Sequence, residues 1–239
     1  MLRWVGLGDP GHPYLVRAHR LRRSVFQFDR RLRDSYLHSN KRPKLHIGAG
    51  WRQLGGWLNA DIELIPGVMR MDATERFPFA DSTFDIVYTE HMIEHIPYSK
   101  AASMLRECHR VMREGAVIRV VTPDLATVVG LRSERLSSDQ ETYLSWFCRT
   151  FVPQDWQHNA ASAINVMFRQ WGHQFIYDEG TLRTSMLAAG FGTIERCTLG
   201  ESRHADLQNI ENQQRYPYGL LKFESVALEG IKRSSGTSA

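Results

Sequence analysis

From residue 43 onward, short apolar runs alternate with amphipathic segments, and this alternation predicts the fold. Apolar runs of roughly four to eight residues are typical of buried strands, whereas apolar positions repeated every three or four residues are typical of helices. Alternating strands and helices form a mainly parallel sheet covered on both faces. We therefore predict an α/β, Rossmann-like, doubly wound sheet of seven strands with helices on both faces. The strands are expected at residues 44–47, 57–61, 68–71, 84–88, 116–121, 193–198 and 223–229.

Two connecting helices have recognisable ends. The helix after the fourth strand is predicted to stop at Gly115, because glycine readily takes the left-handed conformation that follows a helix. A later helix is predicted to begin at Asp178, whose carboxylate can cap free amides, and to end at Gly190. The stretch between them, residues 124–177, is too long for a simple connection and is rich in aromatic residues. It is expected to form a lid over a substrate or the core of a small helical subdomain.

Residues 1–42 differ from the rest of the chain in charge. They hold ten Arg or Lys and three Asp, a charge of +7, whereas the whole chain is only +4. Apolar residues recur at helical spacing between Ala18 and Tyr36, which predicts a basic amphipathic helical arm. Either the arm packs on the body with its basic face in solvent, or residues 13–39 contact acidic lipid headgroups, an anionic substrate or a partner.

Composition narrows the remaining classes. No apolar stretch approaches the roughly 18 residues of a membrane helix, so we expect a soluble cytoplasmic protein, free or peripheral at a membrane. The three cysteines are far apart, which predicts buried thiols and neither disulfides nor a metal site. The arm contains no nucleic-acid-binding motif, so we expect no nucleic-acid partner. An oligomer is compatible with the composition. Residues 43–230 are the expected domain, and residues 231–239 the expected disordered tail.

Candidate chemistry lies where the first four predicted strands end. The turn Gly48-Ala49-Gly50 follows the first strand, and Asp61 ends the second. Without side chains, such a turn lets a ligand lie against backbone amides, and an acid on the next strand can accept both hydroxyls of a ribose. Further polar residues follow the third and fourth strands, at 72–73 and 89–95. Since ligands of open α/β sheets bind at this edge, we predict a nucleoside-containing cofactor there.

Together, these segments resemble the class I S-adenosylmethionine-dependent methyltransferases, in particular a small bacterial branch. The resemblance covers roughly residues 43–229. It rests on LHIGAG, WLNADIE, RMDATERFPFADSTFDIVYTEHMIEHI, VVTPDL and WGHQFIYDEGTLRTSMLAAGF. Trp51 stands where the family has its third glycine, and only eleven positions separate Gly50 from Asp61, as expected for a branch with a compact first helix.

The resemblance implies S-adenosyl-L-methionine as cofactor and assigns its contacts. The glycine turn would approach the methionine part of the cofactor, and Asp61 would hold its ribose. Asp72 and the backbone of Ala73 would bind its adenine. Glu90 and His91 would lie near the reacting methyl group, where Glu90 either balances the sulfonium charge or pairs with a base such as Arg119. The cofactor-binding residues are thus expected to be Gly48, Ala49, Gly50, Asp61, Asp72, Ala73, Glu90 and His91.

The same resemblance suggests an acceptor. Many members of this branch act in the assembly of surface glycans, which implies O-methylation of a saccharide or a related small molecule. A hydroxyl acceptor must lose its proton, and His91, His95 and His173 are the candidate catalytic bases. The segment Gly200–His204 is expected to add polar contacts to the acceptor.

Three alternatives compete with this interpretation. An NAD-dependent oxidoreductase would need a third glycine where the chain has Gln53. The segment 91–95 also matches the H-x-x-E-H pattern of zinc peptidases, although Pro97 leaves little room for the helix that such ligands require. A non-catalytic cofactor-binding or interaction protein is the third, because the cofactor motifs are clearer than any acceptor base.

Overall fold

A computed structural model describes residues 28–233, and the predictions made for residues 1–27 and 234–239 lie outside this range. Seven strands form one sheet in the order β3-β2-β1-β4-β5-β7-β6. Strands β1 to β5 are parallel, and β7 runs antiparallel to both of its neighbours. This is the predicted mainly parallel, doubly wound sheet. Its strands are β1 (Lys44–Ile47), β2 (Leu58–Asp61), β3 (Met69–Arg70), β4 (Phe84–Glu90), β5 (Met112–Pro123), β6 (Phe191–Cys197) and β7 (Ser225–Lys232).

Helices cover both faces of the sheet, each over its own apolar core. Helices α1, α2 and α6 supply side chains to one core, and α3, α4, α5 and α7 supply the other. Within β5, for example, Ile118 and Val120 belong to the first core and Val117 and Val121 to the second, as the alternation of strand side chains requires. The helices are α1 (Phe28–Ser39), α2 (Tyr98–Val111), α3 (Leu125–Gly130), α4 (Ser138–Phe151), α5 (Ala160–Arg169), α6 (Glu179–Ala188) and α7 (Leu220–Glu224).

Of the three predicted helix boundaries, Gly115 is wrong, whereas Asp178 and Gly190 bound α6 as predicted. Helix α2 stops at Val111 instead of Gly115, because Met112 is already extended and pairs with Phe84. Gly115 therefore lies inside β5, although with a positive φ of 75°. Asp178 caps α6 as predicted: its carboxylate accepts the Thr181 amide at 2.7 Å.

The described part of the basic arm packs on the body. Leu32, Tyr36 and Leu37 of α1 lie against the first core. The Tyr36 hydroxyl donates to the carbonyl of Lys44 at 3.0 Å and accepts the Lys44 amide at 2.9 Å, which ties the helix to the start of β1. Residues 28–39 thus have the packed arrangement, whereas residues 13–27 lie outside the described range.

A buried arginine anchors the segment that follows β6. Arg119 of β5 has no solvent exposure. Its guanidinium donates to Glu211 Oε1 and Glu229 Oε1, each at 2.6 Å, and to the carbonyl oxygens of Thr198 and Glu201. These bonds pair the charge and hold residues 198–211 against the sheet.

The described residues, 28–233, bear on two further predictions, the absence of a membrane helix and the burial of the cysteines. No helix there is long and apolar enough to cross a membrane. Cys108 and Cys148 are buried free thiols as predicted, whereas Cys197 is partly exposed.

Candidate functional site

The glycine turn after β1 lies at the carboxyl edge of the sheet, and we call the part of this edge around residues 48–50, 61 and 72 the crevice. The amides of Gly48 and Ala49 both donate to the carbonyl oxygen of Ala60 in β2, which closes the turn. Gly48 has a φ of 72°, and a Cβ atom there would meet Met92 Cγ at 2.4 Å, so no larger residue fits without movement. A Cβ atom on Gly50 would instead enter open space, since no described atom lies within 4 Å. A ligand can therefore reach the backbone at Gly50.

Asp61 joins the end of β2 to this turn. Its Oδ2 accepts the Gly50 amide at 2.8 Å, and its Oδ1 accepts the Glu63 amide at 2.9 Å. Each carboxylate oxygen can accept a further hydrogen bond. Because the carboxylate is partly exposed in the same crevice, it can still bind a pair of hydroxyl groups.

The next acid stands one strand farther along the edge. Asp72 follows β3, and its Oδ1 accepts the amide and the hydroxyl of Thr74 at 2.8 and 2.7 Å. These two bonds orient the carboxylate and leave Oδ2 for another donor. Ala73 is partly buried and packs against the first core. The structure thus places Asp61 and Asp72 at the ends of neighbouring strands, as the sequence predicted.

Glu90 ends β4 and is held by residues that the sequence did not suggest. Arg52 Nη1 donates to Glu90 Oε2 at 3.0 Å, and the Asn212 amide lies 3.2 Å from Oε1. The proposed pairing of Glu90 with Arg119 is wrong, because Arg119 is buried and binds Glu211 and Glu229.

His91 occupies a strained turn directly after β4. Its φ is 50°, a left-handed conformation that is uncommon for residues other than glycine. The turn is fixed from both sides: the His91 amide donates to the Val121 carbonyl at 2.9 Å, and Nε2 lies 3.1 Å from the Ser225 hydroxyl. Non-glycine strain of this kind costs about 1–3 kcal/mol and is concentrated at functional sites.

A small cavity lies beyond the carboxyl ends of β4 and β5. Its volume is about 20 Å³, enough for one water molecule or one ion. It brings together the three predicted catalytic histidines with two carboxylates and a guanidinium, between aromatic side chains. The lining residues are His91, Glu94, His95, Pro123, Phe151, Met167, Trp171, His173, Arg215, Tyr216 and Glu224.

Within this cavity, the His95 and His173 rings are in edge-on contact, with centroids 4.8 Å apart. Burial lowers the pKa of both imidazoles, so that both are neutral at pH 7. Burial alone would raise the pKa of the Glu94 carboxyl, but the neighbouring His91, His95 and His173 bring it below its usual range, to about 2. The cavity therefore holds neutral imidazoles beside a carboxylate.

The aromatic stretch forms a helical cover over this cavity. Tyr143 and Phe147 of α4 are buried in the second core, as expected for a helical subdomain. Phe151 and Trp171 extend from the same cluster to the cavity wall. The structure thus has the helical core that was one of the two predicted arrangements, and two of its aromatic residues also line the cavity.

The segment Gly200–His204 does not reach the cavity, contrary to the prediction. Arg203 and His204 line a larger surface cavity of about 380 Å³ beside Asp85 and Ala116, at the amino ends of β4 and the regular part of β5. The reason is that Arg119, in the middle of β5, is hydrogen bonded to Thr198, Glu201 and Glu211 and so holds this segment away from the carboxyl ends of the strands. Despite its size, the larger cavity lies at the edge opposite to the strand-end motifs.

Sequence reasoning missed several residues of the site. Arg52, Thr122 and Glu224 gave no signal, because their partners lie far away along the chain. Thr122 Oγ1 donates to Glu94 Oε2 at 3.0 Å, and the Tyr143 hydroxyl is hydrogen bonded to Glu224 Oε2. Glu94 was considered only within the zinc peptidase pattern. That pattern needs a regular helix, whereas the structure has a three-residue 3-10 turn at Ile93–His95.

Known proteins resemble this chain in part of its sequence and in its fold. A family model described as a methyltransferase domain matches residues 56–120, which include β2, β3, β4 and most of β5. No curated protein matches the chain by sequence. An S-adenosylmethionine-dependent methyltransferase from Archaeoglobus fulgidus has a TM-score of 0.50 and 16% identity, with 92% of this chain and 100% of that chain covered. Residues 56–120 are thus similar to a methyltransferase domain, and the chain shares the fold of this S-adenosylmethionine-dependent methyltransferase.

Two further solved structures have lower TM-scores with this chain. A possible histamine N-methyltransferase from Thermotoga maritima has a TM-score of 0.46 and 16% identity, over 90% of this chain and 97% of that chain. Phosphoethanolamine N-methyltransferase 2 of Haemonchus contortus, in complex with S-adenosyl-L-methionine, has a TM-score of 0.43 and 13% identity, over 87% and 53% of the two chains.

The cofactor of this class, S-adenosyl-L-methionine, fits the described crevice. The open space at Gly50 admits a ligand against the backbone, and Asp61 beside it can accept hydrogen bonds from vicinal hydroxyls. Asp72 follows β3, on the far side of β2 from β1, and its Oδ2 is available to accept a hydrogen bond from an amino group. These features match the needs of an adenosine with a free ribose.

Proposed function

We propose that this protein is a methyltransferase that transfers the methyl group of S-adenosyl-L-methionine to a hydroxyl of a small acceptor, and that the acceptor is a saccharide or a related polyol. The supporting observation is the polar cavity beyond β4, where the imidazoles of His91, His95 and His173 meet. This position, next to the glycine turn through Met92, is where the reacting centre of this fold would lie.

The proposed cofactor contacts follow the strand ends. Gly48, Ala49 and Gly50 would hold the methionine part, and Asp61 would accept the ribose hydroxyls. Asp72 Oδ2 and the Ala73 backbone would bind the adenine. Glu90 and His91 would flank the sulfonium group. Glu90, bound to Arg52, has its charge already balanced, so we assign it mainly to orienting the glycine turn.

The transfer itself is a displacement at carbon. S-adenosyl-L-methionine, held by the glycine turn, Asp61 and Asp72, would supply an electrophilic methyl group with a neutral thioether as its leaving group, and the acceptor hydroxyl would supply the oxygen that takes the methyl group. The hydroxyl proton passes to one of the neutral imidazoles that line the cavity. Most of the acceleration would come from holding oxygen, carbon and sulfur in line, since effective molarities reach about 10⁵ M or more.

The size of the cavity limits how the acceptor binds. About 20 Å³ accommodates a single hydroxyl group and excludes a sugar ring. The ring would therefore lie toward Phe151, Trp171 and Tyr216, whose aromatic faces suit the apolar face of a sugar. Entry of a whole saccharide requires the cover formed by α4 and α5 to move.

The basic arm supports a related proposal, that it brings a cytoplasmic enzyme to an anionic acceptor or membrane surface. Since α1 packs on the sheet, deletion of residues 13–27 tests this idea better than deletion of the whole arm. We expect unchanged cofactor affinity and weaker binding to vesicles containing phosphatidylserine. Equal vesicle binding by the shortened chain would contradict the proposal.

The direct test of the proposed reaction is transfer of isotopically labelled methyl groups to a panel of saccharides, followed by mass spectrometry. We expect methylated products with the wild type and at least tenfold less with His173→Gln. His158→Gln, an exposed histidine in the same cover, is the matched control and should retain full activity. A wild type that binds the cofactor but methylates no hydroxyl compound would contradict O-methylation and favour a binding protein.

A further inference from the structure

Three side chains at the cavity place their ligand atoms around one point. A carboxylate oxygen of Glu94 and one nitrogen each of His95 and His173 all lie within 4.8 Å of one another. Glu94 Oε1 and His95 Nε2 are 4.0 Å apart. In a tetrahedral site with bonds of about 2.1 Å, ligand atoms lie about 3.4 Å apart, so the widest separation here would need to close by about 1.4 Å.

Outer contacts orient two of these side chains as metal ligands are usually oriented. His173 Nδ1 is 2.5 Å from the Met167 carbonyl, which fixes the ring and leaves Nε2 facing the cavity. Glu94 is completely buried, and Thr122 Oγ1 donates to its Oε2. In metal sites, the ligating imidazole commonly donates to a carbonyl oxygen and the ligating carboxylate accepts from a nearby donor. Such hydrogen bonds orient the ligands and raise the affinity for the metal.

The other Glu94 oxygen, Oε1, has His91 Nδ1 near it, at 3.3 Å, but makes no hydrogen bond of good geometry with residues 28–233, although the oxygen is buried. A buried acceptor without a donor costs about 1–3 kcal/mol, or more when it is charged. A bound water or ion is a common partner of such an atom.

Size and charge also suit a cation. The cavity volume of about 20 Å³ fits one ion. Glu94 and Glu224 line it beside the guanidinium of Arg215, and because burial raises the pKa of the Glu224 carboxyl, Glu94 is the carboxylate that would face an ion. Two imidazoles with one carboxylate are a ligand set typical of zinc and other first-row transition metals.

We infer that Glu94, His95 and His173 form a binding site for a divalent transition-metal ion. The inference departs from the expectation of no metal site, because the third ligand stands 78 positions after His95 and shares no local motif with it. It also differs from the zinc peptidase pattern, in which His91 and His95 are the ligands and Glu94 is the base.

An ion with three protein ligands keeps coordination positions open for a further group. Those positions would face the cavity, where an acceptor oxygen could bind. This consequence rests on the proposed function, whereas the metal site itself does not. With an ion present, His95 and His173 would act as ligands instead of proton acceptors.

The test is titration of the metal-free full chain with Co²⁺, followed by visible absorption spectroscopy. We expect one Co²⁺ per chain, with bands that shift from those of the hexa-aqua ion and vanish on addition of Zn²⁺. His173→Gln and His95→Gln should each weaken Co²⁺ binding about tenfold or more. His158→Gln is the matched control and should bind as the wild type does.

The outcomes separate this inference from the proposed function. Calorimetry with S-adenosyl-L-methionine on the same samples reports the cofactor site independently. A wild type that binds the cofactor but no Co²⁺, or Co²⁺ binding unchanged in both histidine variants, would overturn the metal site alone. Co²⁺ binding without cofactor binding would overturn the proposed function and leave the metal site standing. Since Glu94→Gln risks misfolding at a fully buried position, the two histidine variants carry the test.

Discussion

The two halves of the sheet build their parts of the site in different ways. In the cofactor half, around β1, β2 and β3, the contacts are local: Asp61 binds an amide eleven residues away, and Asp72 binds one only two residues away. In the acceptor half, around β4, β5 and β7, His91 meets Ser225 across 134 residues, and Arg119 meets Glu229 across 110.

This difference implies that substitutions in the two halves affect different properties of the protein. The cofactor crevice is formed by turns whose shape depends on a few neighbouring residues. The acceptor cavity exists only when distant segments are held together by buried charges and hydrogen bonds. We therefore expect substitutions in the acceptor half to act first on folding, and those in the crevice to act first on ligand affinity.

The largest effect is expected at Arg119. Replacement by Met leaves Glu211 and Glu229 buried beside an apolar side chain, and removal of one partner from a buried ion pair costs about 3–5 kcal/mol. Urea unfolding measures the change in the free energy of unfolding. Arg183→Met, which removes a half-exposed ion pair with Glu179, is the control and should cost less than about 1 kcal/mol. Equal losses in the two variants would show that the buried charges at Arg119 stabilise the fold no more than a half-exposed ion pair does.

A pH effect is expected from His46 in the cofactor half. Burial lowers its pKa from 6.5 to about 4, so between these values the unfolded chain binds a proton that the folded chain does not. Stability therefore falls as the pH drops from 6.5 toward 4, by roughly 2–3 kcal/mol from this group.

His46→Gln removes the titration and keeps an amide to donate to Asn59 Oδ1, the partner of His46 Nδ1. Unfolding free energies at pH 7 and pH 4.5 should differ by roughly 2–3 kcal/mol less in this variant than in the wild type. Identical pH dependence in the two proteins would show that His46 is protonated in the fold.

Smaller changes in stability are expected in the glycine turn. Gly48→Ala places a Cβ atom 2.4 Å from Met92 Cγ at a φ of 72°, which should cost about 1–3 kcal/mol and weaken cofactor binding. Gly55→Ala, in the same loop region, meets no described atom within 4 Å and should change stability by about 0.5 kcal/mol or less. Equal effects of the two substitutions on cofactor affinity would mean that the turn does not shape the crevice.

The sequence predicted most of the fold and placed the candidate cofactor residues at strand ends, because both signals are local. Strand ends, Gly48, Gly50, Asp61 and the Asp178 cap all follow from short patterns. The end of α2 was missed because pairing between Met112 and Phe84, 28 positions apart, overrides the glycine signal at Gly115.

The acceptor side could be predicted only as a set of candidate histidines. Nothing near His95 indicates that His173 will touch it, and nothing near Glu94 indicates Thr122 or Glu224. The misplacement of Gly200–His204 has the same origin, since the bonds of Arg119 that redirect this segment span 79 residues or more. Contacts set by tertiary packing leave no periodic trace in the sequence.

The central claim, that the crevice at Gly50 and Asp61 binds S-adenosyl-L-methionine, is tested most directly by calorimetry with the wild type and Asp61→Asn. The substitution keeps the size of the side chain but removes the charge that would accept the ribose hydroxyls, where each charged hydrogen bond contributes about 1.5–3 kcal/mol. We predict one cofactor per wild-type chain and at least tenfold weaker binding by the variant, with Asp155→Asn as an exposed control of unchanged affinity. No binding by the wild type, or equal affinity in Asp61→Asn, would contradict the cofactor site.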